Sequence, residues 1–157
     1  MKKIILAACA ALLGLGTFSV GAMDSATLRS HPEQYRILYA NNQKVIYGDM
    51  QSFSGLETRD LPSSIQNMSL TLYVENYVTN PTDFDYAEGK TVSSIVEYQS
   101  EWTGNKVKGH YQGKTTWNHS YDRAGHELSD AKAPLVLSSS AVEDIYRTLV
   151  RVSRVRE

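Results

Sequence analysis

The chain has 157 residues, with 16 Lys+Arg against 17 Asp+Glu and a formal net charge of −1. So even a balance carries no footprint for nucleic acid, and a single cysteine excludes a disulfide within the chain. At this length one domain that buries roughly two-thirds of its unfolded surface is the natural expectation.

Met1-Lys2-Lys3 opens with positive charge, residues 4–15 are almost unbroken apolar, and Val20-Gly21-Ala22 closes the stretch with small residues. That order predicts a cleavable secretory signal over residues 1–22, cut between Ala22 and Met23. Two rivals can be weighed. An uncleaved anchor over residues 4–22 is disfavoured by the glycines, threonine and serine of its second half. A lipobox at Leu6-Ala7-Ala8-Cys9 would leave an apolar region shorter than the usual ~7–15 residues. Removing the leader takes Lys2, Lys3 and Cys9, so 14 basic side chains remain against 17 acidic, a formal charge of −3. Residues 23–157 are then one cysteine-free mature domain with no membrane span, exported to a periplasm, a cell surface or the medium.

Within it, residues 23–34 form an N-terminal arm or short helix, capped by Asp24 or Ser25 and broken at His31-Pro32. Residues 35–39 and 44–47 flank Asn41-Asn42 and predict a β-hairpin. Residues 69–78 place Leu70, Leu72 and Val74 at alternate positions with Thr71, Tyr73 and Glu75 between them, the pattern of a strand with one face on the core. Residues 91–102 resume a long strand. Two further hairpins are expected, one turning at Gln112-Gly113 and one at residues 122–125, where Gly125 supplies the left-handed residue. The β region so defined spans residues 35–137. Ser140 and Glu143 form a capping-box pattern, and Val142, Ile145, Tyr146, Leu149 and Val152 recur at helical spacing over 140–153. Arg147, Arg151 and Arg154 lie toward its end, where the helix dipole favours positive charge. The fold class expected is α+β and strand-dominated: an antiparallel, strongly curved sheet, or a small sandwich or barrel, of about six to eight strands with the C-terminal helix packed on it.

Catalytic chemistry is poorly supplied. Ser129-x-x-Lys132 matches S-x-x-K but sits between a hairpin and Pro134, where no helix aligns the pair. Of the four histidines, the expected register sets Tyr121 opposite His126 and makes His119 a diagonal neighbour of His126. With a third ligand such as Asp122 or Glu127 those two imidazoles are the weak candidates for a metal, and the alternative to a binding protein is a metal-binding protein or metal-assisted hydrolase built on them. Asp83, Asp85 and Glu88 offer hard oxygens in one loop but lack the full spacing of a calcium loop. No cofactor is implied. Ten tyrosines and two tryptophans are the more suggestive feature. Tyr73 and Tyr77 fall on the strand face opposite Leu70, Leu72 and Val74, and with Trp102 and Trp117 they are the candidate recognition residues. As good strand formers the same aromatics equally serve to fill both faces of a sheet.

The order of elements resembles that of small exported bacterial domains of the surface-adhesin-E-like kind. The resemblance lies in Tyr35-Arg36-Ile37-Leu38, in Val45-Ile46-Tyr47-Gly48-Asp49 with Ser52, in Ser94-Ile95-Val96-Glu97-Tyr98, in Trp117 with the Tyr121-Asp122-x-x-Gly125 hairpin, and in a closing segment from Pro134 to Ser140. The cysteine pair frequent in that group is absent here. The resemblance implies a binding protein at the cell envelope that engages extracellular matrix, and it transfers no binding residue. The functional expectation is a non-enzymatic, exported binding or envelope-associated domain whose partner is a protein or glycan, with a structural envelope subunit as a further alternative.

Overall fold

The structure, a computed structural model, describes residues 23–56, 65–78, 91–105 and 107–154. The expected leader and the acidic residues Asp83, Asp85 and Glu88 lie outside the described residues. The elements run α1 (Ser25–Ser30), β1 (Tyr35–Ala40), β2 (Lys44–Asp49), β3 (Ser54–Leu56), β4 (Ile65–Tyr77), β5 (Val92–Asn105), β6 (His110–Asp122) and α2 (Ser139–Arg154).

The strands form one six-stranded sheet in the order β1-β2-β4-β5-β6, with β3 pairing the first part of β4. Every pairing is antiparallel. The strand-dominated α+β expectation is met, in the form of an open sheet with β1 and β6 at its edges. No second sheet is needed because α2 lies across one face, approaching β1, β5 and β6.

Local chemistry explains most of these elements. Asp24 caps α1 by accepting from Thr27 N at 2.7 Å. That contact holds the Asp24 carboxyl below its usual range. Asn41 closes the first hairpin: its Oδ1 accepts from both Gln43 N and Lys44 N at 2.9 Å. Asp122 does the same for the last turn, its Oδ1 accepting from Ala124 N at 2.8 Å and His126 N at 2.9 Å, with Gly125 at φ 86°.

Three expected details are corrected. The turn placed at Gln112-Gly113 is not there: β6 runs through both residues, which pair with Thr103 and Trp102. The chain reverses earlier, where Asn105 Oδ1 accepts from Val107 N and Lys108 N and Gly109 takes φ 62°. Gly113 answers a packing demand instead. A Cβ there would lie 2.5 Å from Cζ3 of Trp102. Next, the segment after Gly125 makes only an isolated bridge, Tyr121 to Glu127, one residue out of the expected register. Finally, Ser138 rather than Ser140 caps α2, its Oγ accepting from Ala141 N at 3.2 Å. Glu143 does not reach back to the cap but pairs with Arg147 at 2.7 Å.

Two buried clusters lie on opposite faces. The larger one, beneath α2, gathers Ile46, Leu70, Leu72, Val74, Val96, Tyr98 and Trp102 from the sheet with Ile145, Tyr146 and Leu149 from the helix. Here Trp102 has no exposed surface. Its indole Nε1 donates to Ser100 Oγ at 2.9 Å, and Ser100 Oγ donates to Leu70 O at 2.7 Å, so the polar atom of the ring is satisfied inside the core. Tyr146 of α2 makes the same use of a glycine: a Cβ on Gly104 would lie 2.2 Å from its ring. The smaller cluster, on the α1 side, holds Met23, Leu28, Tyr35, Tyr47, Ile95 and Tyr121.

Because Gly113 lies against a fully buried ring with no room to retreat, Gly113→Ala is expected to destabilise the fold by about 1–3 kcal/mol. Thermal unfolding followed by tryptophan fluorescence checks this, and an unchanged melting temperature would show that the ring has slack.

Candidate functional site

The sheet face turned away from α2 is divided along its length. At the α1 end, side chains alternate out of β2, β4, β5 and β6 into a tyrosine-lined patch that carries two carboxylates, Glu75 and Glu97. Glu75 is fully buried there. Its Oε1 accepts from Arg29 at 2.6 Å and from the Tyr77 hydroxyl at 2.6 Å, while its Oε2 is buried with no hydrogen-bond partner. Arg29, half exposed on α1, is held all the more firmly protonated by this bond. One rung along, Tyr73 stands edge-on to Tyr35, with centroids 5.7 Å apart and planes at 85°. Across from Tyr73 is Glu97, which accepts from Asn118 and, at 3.4 Å, from the Tyr121 hydroxyl.

Burial raises the hydroxyls of Tyr73 and Tyr77 far above the ordinary tyrosine range, with Glu97 adding to the first and Glu75 to the second. Tyr121 is pushed up to about 12 by burial and by Glu97 and Glu127. The patch is thus a polar network that ties α1 to the sheet, and its phenols stay neutral.

The four aromatic candidates do not meet on one surface. Tyr73 and Tyr77 lie on the α1 side, half-buried in that network. Trp102 and Trp117 belong to the opposite face. The expectation that Trp102 contributes to recognition is corrected: it is a core residue, because strand alternation turns it inward while Glu101 and Thr103 turn outward. Trp117 is half-buried at the rim of the same core. Its Nε1 donates to Ser120 Oγ at 2.9 Å, and Lys132 Nζ stands 5.4 Å from its ring centroid.

The two histidines are separated by the one-residue change of register. His119 Nδ1 lies 2.6 Å from Glu127 Oε1, and His126 Nδ1 lies 3.1 Å from Asp122 Oδ2. Each imidazole has its own carboxylate, and they share no common ligand point. Among the described residues no group of three His, Cys, Asp or Glu side chains is placed to hold a metal ion.

Beyond Tyr73 the same face becomes wholly polar. Asn67, Ser69 and Thr71 on β4, Gln99, Glu101 and Thr103 on β5, and Gln112, Lys114 and Thr116 on β6 stand in three rungs set by the pairing register. Gln99 Nε2 donates to Thr71 Oγ1 at 3.0 Å, and Glu101 sits opposite Lys114. Two shallow depressions of about 330 and 270 Å3 mark this field, with Ser69 and Glu101 common to both. Asn67 Oδ1 is buried there with no hydrogen-bond partner. None of the described helices covers these rungs, and α1 stops at the tyrosine patch. Sequence reasoning passed over the field because its residues are individually unremarkable for a strand. The signal available was the run Gln99-x-Glu101-x-Thr103 alternating with Ser100, Trp102 and Gly104.

Comparison with family models, with curated proteins and with solved structures finds nothing that matches this chain.

Two tests follow from the tyrosine patch. Its tyrosines are neutral in folded and unfolded chains alike well below pH 10, the ordinary value from which they are raised. Above it the unfolded chain releases protons that the folded chain keeps, so stability falls as pH rises. The melting temperature should stay flat from about pH 7 to 9 and drop above about 10, with part of the phenolate absorbance appearing only on unfolding. A chain that titrates all its tyrosines while still folded would contradict this burial. Separately, Arg29→Met leaves Glu75 buried without its cation. The expected cost is on the order of 2 kcal/mol, below the ~3–5 of a fully buried pair because Arg29 is half exposed. Arg29→Met with Glu75→Met should recover much of that loss in a denaturant titration.

Proposed function

We propose that this chain is an exported, non-enzymatic binding protein of the cell envelope, which engages a protein or glycan through the polar field of β4, β5 and β6. One observation carries the reading. Nine polar side chains stand in three rungs on long, paired strands, the six on β5 and β6 exposed and Thr71 buried, on a part of the sheet that no described helix covers. A surface built on strands holds its donors and acceptors at fixed spacing, so little conformational freedom is lost when a polar partner replaces water. The titratable groups support a binding role as well. Each histidine near the tyrosine patch is taken up by one carboxylate, Glu127 for His119 and Asp122 for His126. Export rests on the lysine-led apolar start of the chain, and the envelope setting agrees with the resemblance to surface-adhesin-E-like domains.

The export half is tested by intact-mass measurement on protein recovered from outside the cytoplasm, which should begin at Met23. Retention of residues 1–22 overturns it. The binding half is tested by titrating the full chain on immobilised extracellular-matrix proteins and on a glycan array. Binding to one of these surfaces should weaken by about tenfold or more in the variant carrying Ser69→Lys and Gln99→Lys, with its melting temperature preserved. Binding indifferent to those substitutions, or no binding to either panel, counts against the field.

A further inference from the structure

β6 ends the sheet, and its outer side is only partly paired. Asp122 N donates to His126 O at 2.9 Å, and Leu128 N donates to Ser120 O at 2.7 Å. Near the C-terminal end of β6 the even-numbered residues therefore turn their backbone groups away from β5. Glu97 pairs His119 while Tyr98 pairs Trp117, which leaves Asn118 as an extra residue, and such a bulge shifts the alternation by one. Before it, Tyr111, Gly113 and Thr115 aim N–H and C=O outward, while Gln112, Lys114 and Thr116 bond to Thr103, Glu101 and Gln99. Among the described residues, backbone pairing on the outer side of β6 stops at Ser120.

Those outward groups border a groove of about 560 Å3. Its far wall is Leu137 with Ser139 and Val142, where the chain enters α2, and the Tyr111 ring lines it from β6. Three donors and three acceptors that repeat at every second residue match one kind of partner, an extended backbone with the same repeat. A helix satisfies its own backbone, and a glycan offers no such ladder. Natural edge strands are guarded by charge, yet Lys114 is the sole lysine or arginine in β6.

We infer that the outer edge of β6 takes up an extended segment of a partner protein as an added strand, hydrogen-bonded to Tyr111, Gly113 and Thr115. Alternate side chains of that segment lie against Leu137 and Val142 and are apolar. Those between them lie beside Gln112, Lys114 and Glu101, and polar residues fit best. A second copy of this chain, joined edge to edge about Gly113, would bring its own 137–142 turn onto the same face and into the same space, which favours a bare segment over a symmetric dimer. The groove shares Glu101, Thr103, Gln112 and Lys114 with the polar field, but Ser69 and Gln99 lie outside it, so substitutions at those two positions test the field and leave the edge intact.

The test is to pan a random nonapeptide phage library on the full chain and titrate the selected peptides by fluorescence polarisation. The expected peptides alternate apolar with polar residues. N-methylation at alternate peptide amides should weaken them by about tenfold or more. Thr115→Pro removes an outward N–H without touching the bonds to β5 and should weaken them equally. The Ser69→Lys, Gln99→Lys variant should bind them as the unaltered chain does, which separates this edge from the polar field. If Thr115→Pro fails to fold, the N-methyl scan on the unaltered chain decides alone. The inference is overturned by a library that yields no binder above an uncoated control or by peptides indifferent to N-methylation. It is equally overturned by a chain that dimerises through β6 and becomes monomeric on Thr115→Pro.

Discussion

Trp102 occupies the space that a side chain at position 113 would need, and the rest of the main core is arranged to permit it. The ring lies under β6 only because Gly113 has no Cβ, and its one polar atom is tolerated only because Ser100 passes the hydrogen bond on to Leu70 O. That chain of contacts ties β4, β5 and β6 into one slab. Tyr146 repeats the device at Gly104, and this sets where α2 crosses the sheet. The seat of α2 in turn fixes the closing segment, which is pinned by the Tyr98 hydroxyl to Ala133 O at 2.7 Å and by Ser120 Oγ to Ala131 O at 2.6 Å. The wall of the groove beside β6 is therefore a consequence of two aromatic rings placed against two glycines.

The other face obeys a different constraint. A sheet with one large helix on one side is left with a second surface, and a six-residue helix can cover only part of it. Where α1 reaches, tyrosines and Ile95 are buried and a carboxylate is enclosed with its arginine. Where it does not, the rungs switch to amides, hydroxyls and one charged pair. The boundary falls between Tyr73 and Thr71 on β4 and between Glu97 and Gln99 on β5. A tyrosine network and a set of polar rungs thus share one face, with Thr71 buried at their junction and the β5 and β6 members of the rungs exposed.

Much of this was readable in advance. The alternation of Leu70, Leu72 and Val74 fixed which side of β4 is buried, Asn41 marked the first hairpin, and the spacing of Ile145, Tyr146 and Leu149 marked α2. What misled was chemistry with two uses. Glycine serves tight turns and close packing equally, so Gly113 suggested a turn when it was making room for a ring. Tryptophan is at home on a recognition surface and in a core, and only the inward parity of Trp102 decides between them. The polar field was the hardest part to foresee. Glutamine, threonine and asparagine on a strand carry no motif, and they acquire meaning only when the register sets three strands side by side. The histidines were separated by a similar subtlety, since a register displaced by one residue exchanges the side on which each side chain stands.

Asn118 deserves a place beside the two glycines. With one residue extra in β6, odd-numbered side chains such as Tyr111 and Trp117 face α2 before it, and even-numbered Ser120 faces that way after it. The strand is in effect written in two reading frames joined at a single position. Its length between the Asn105 turn and the Asp122 turn therefore has a parity that drift cannot alter gradually. Losing one residue at Asn118 would leave either the Trp117–Ser120 contact or the tyrosine patch facing the wrong way, so change in this part of the chain is confined to substitution.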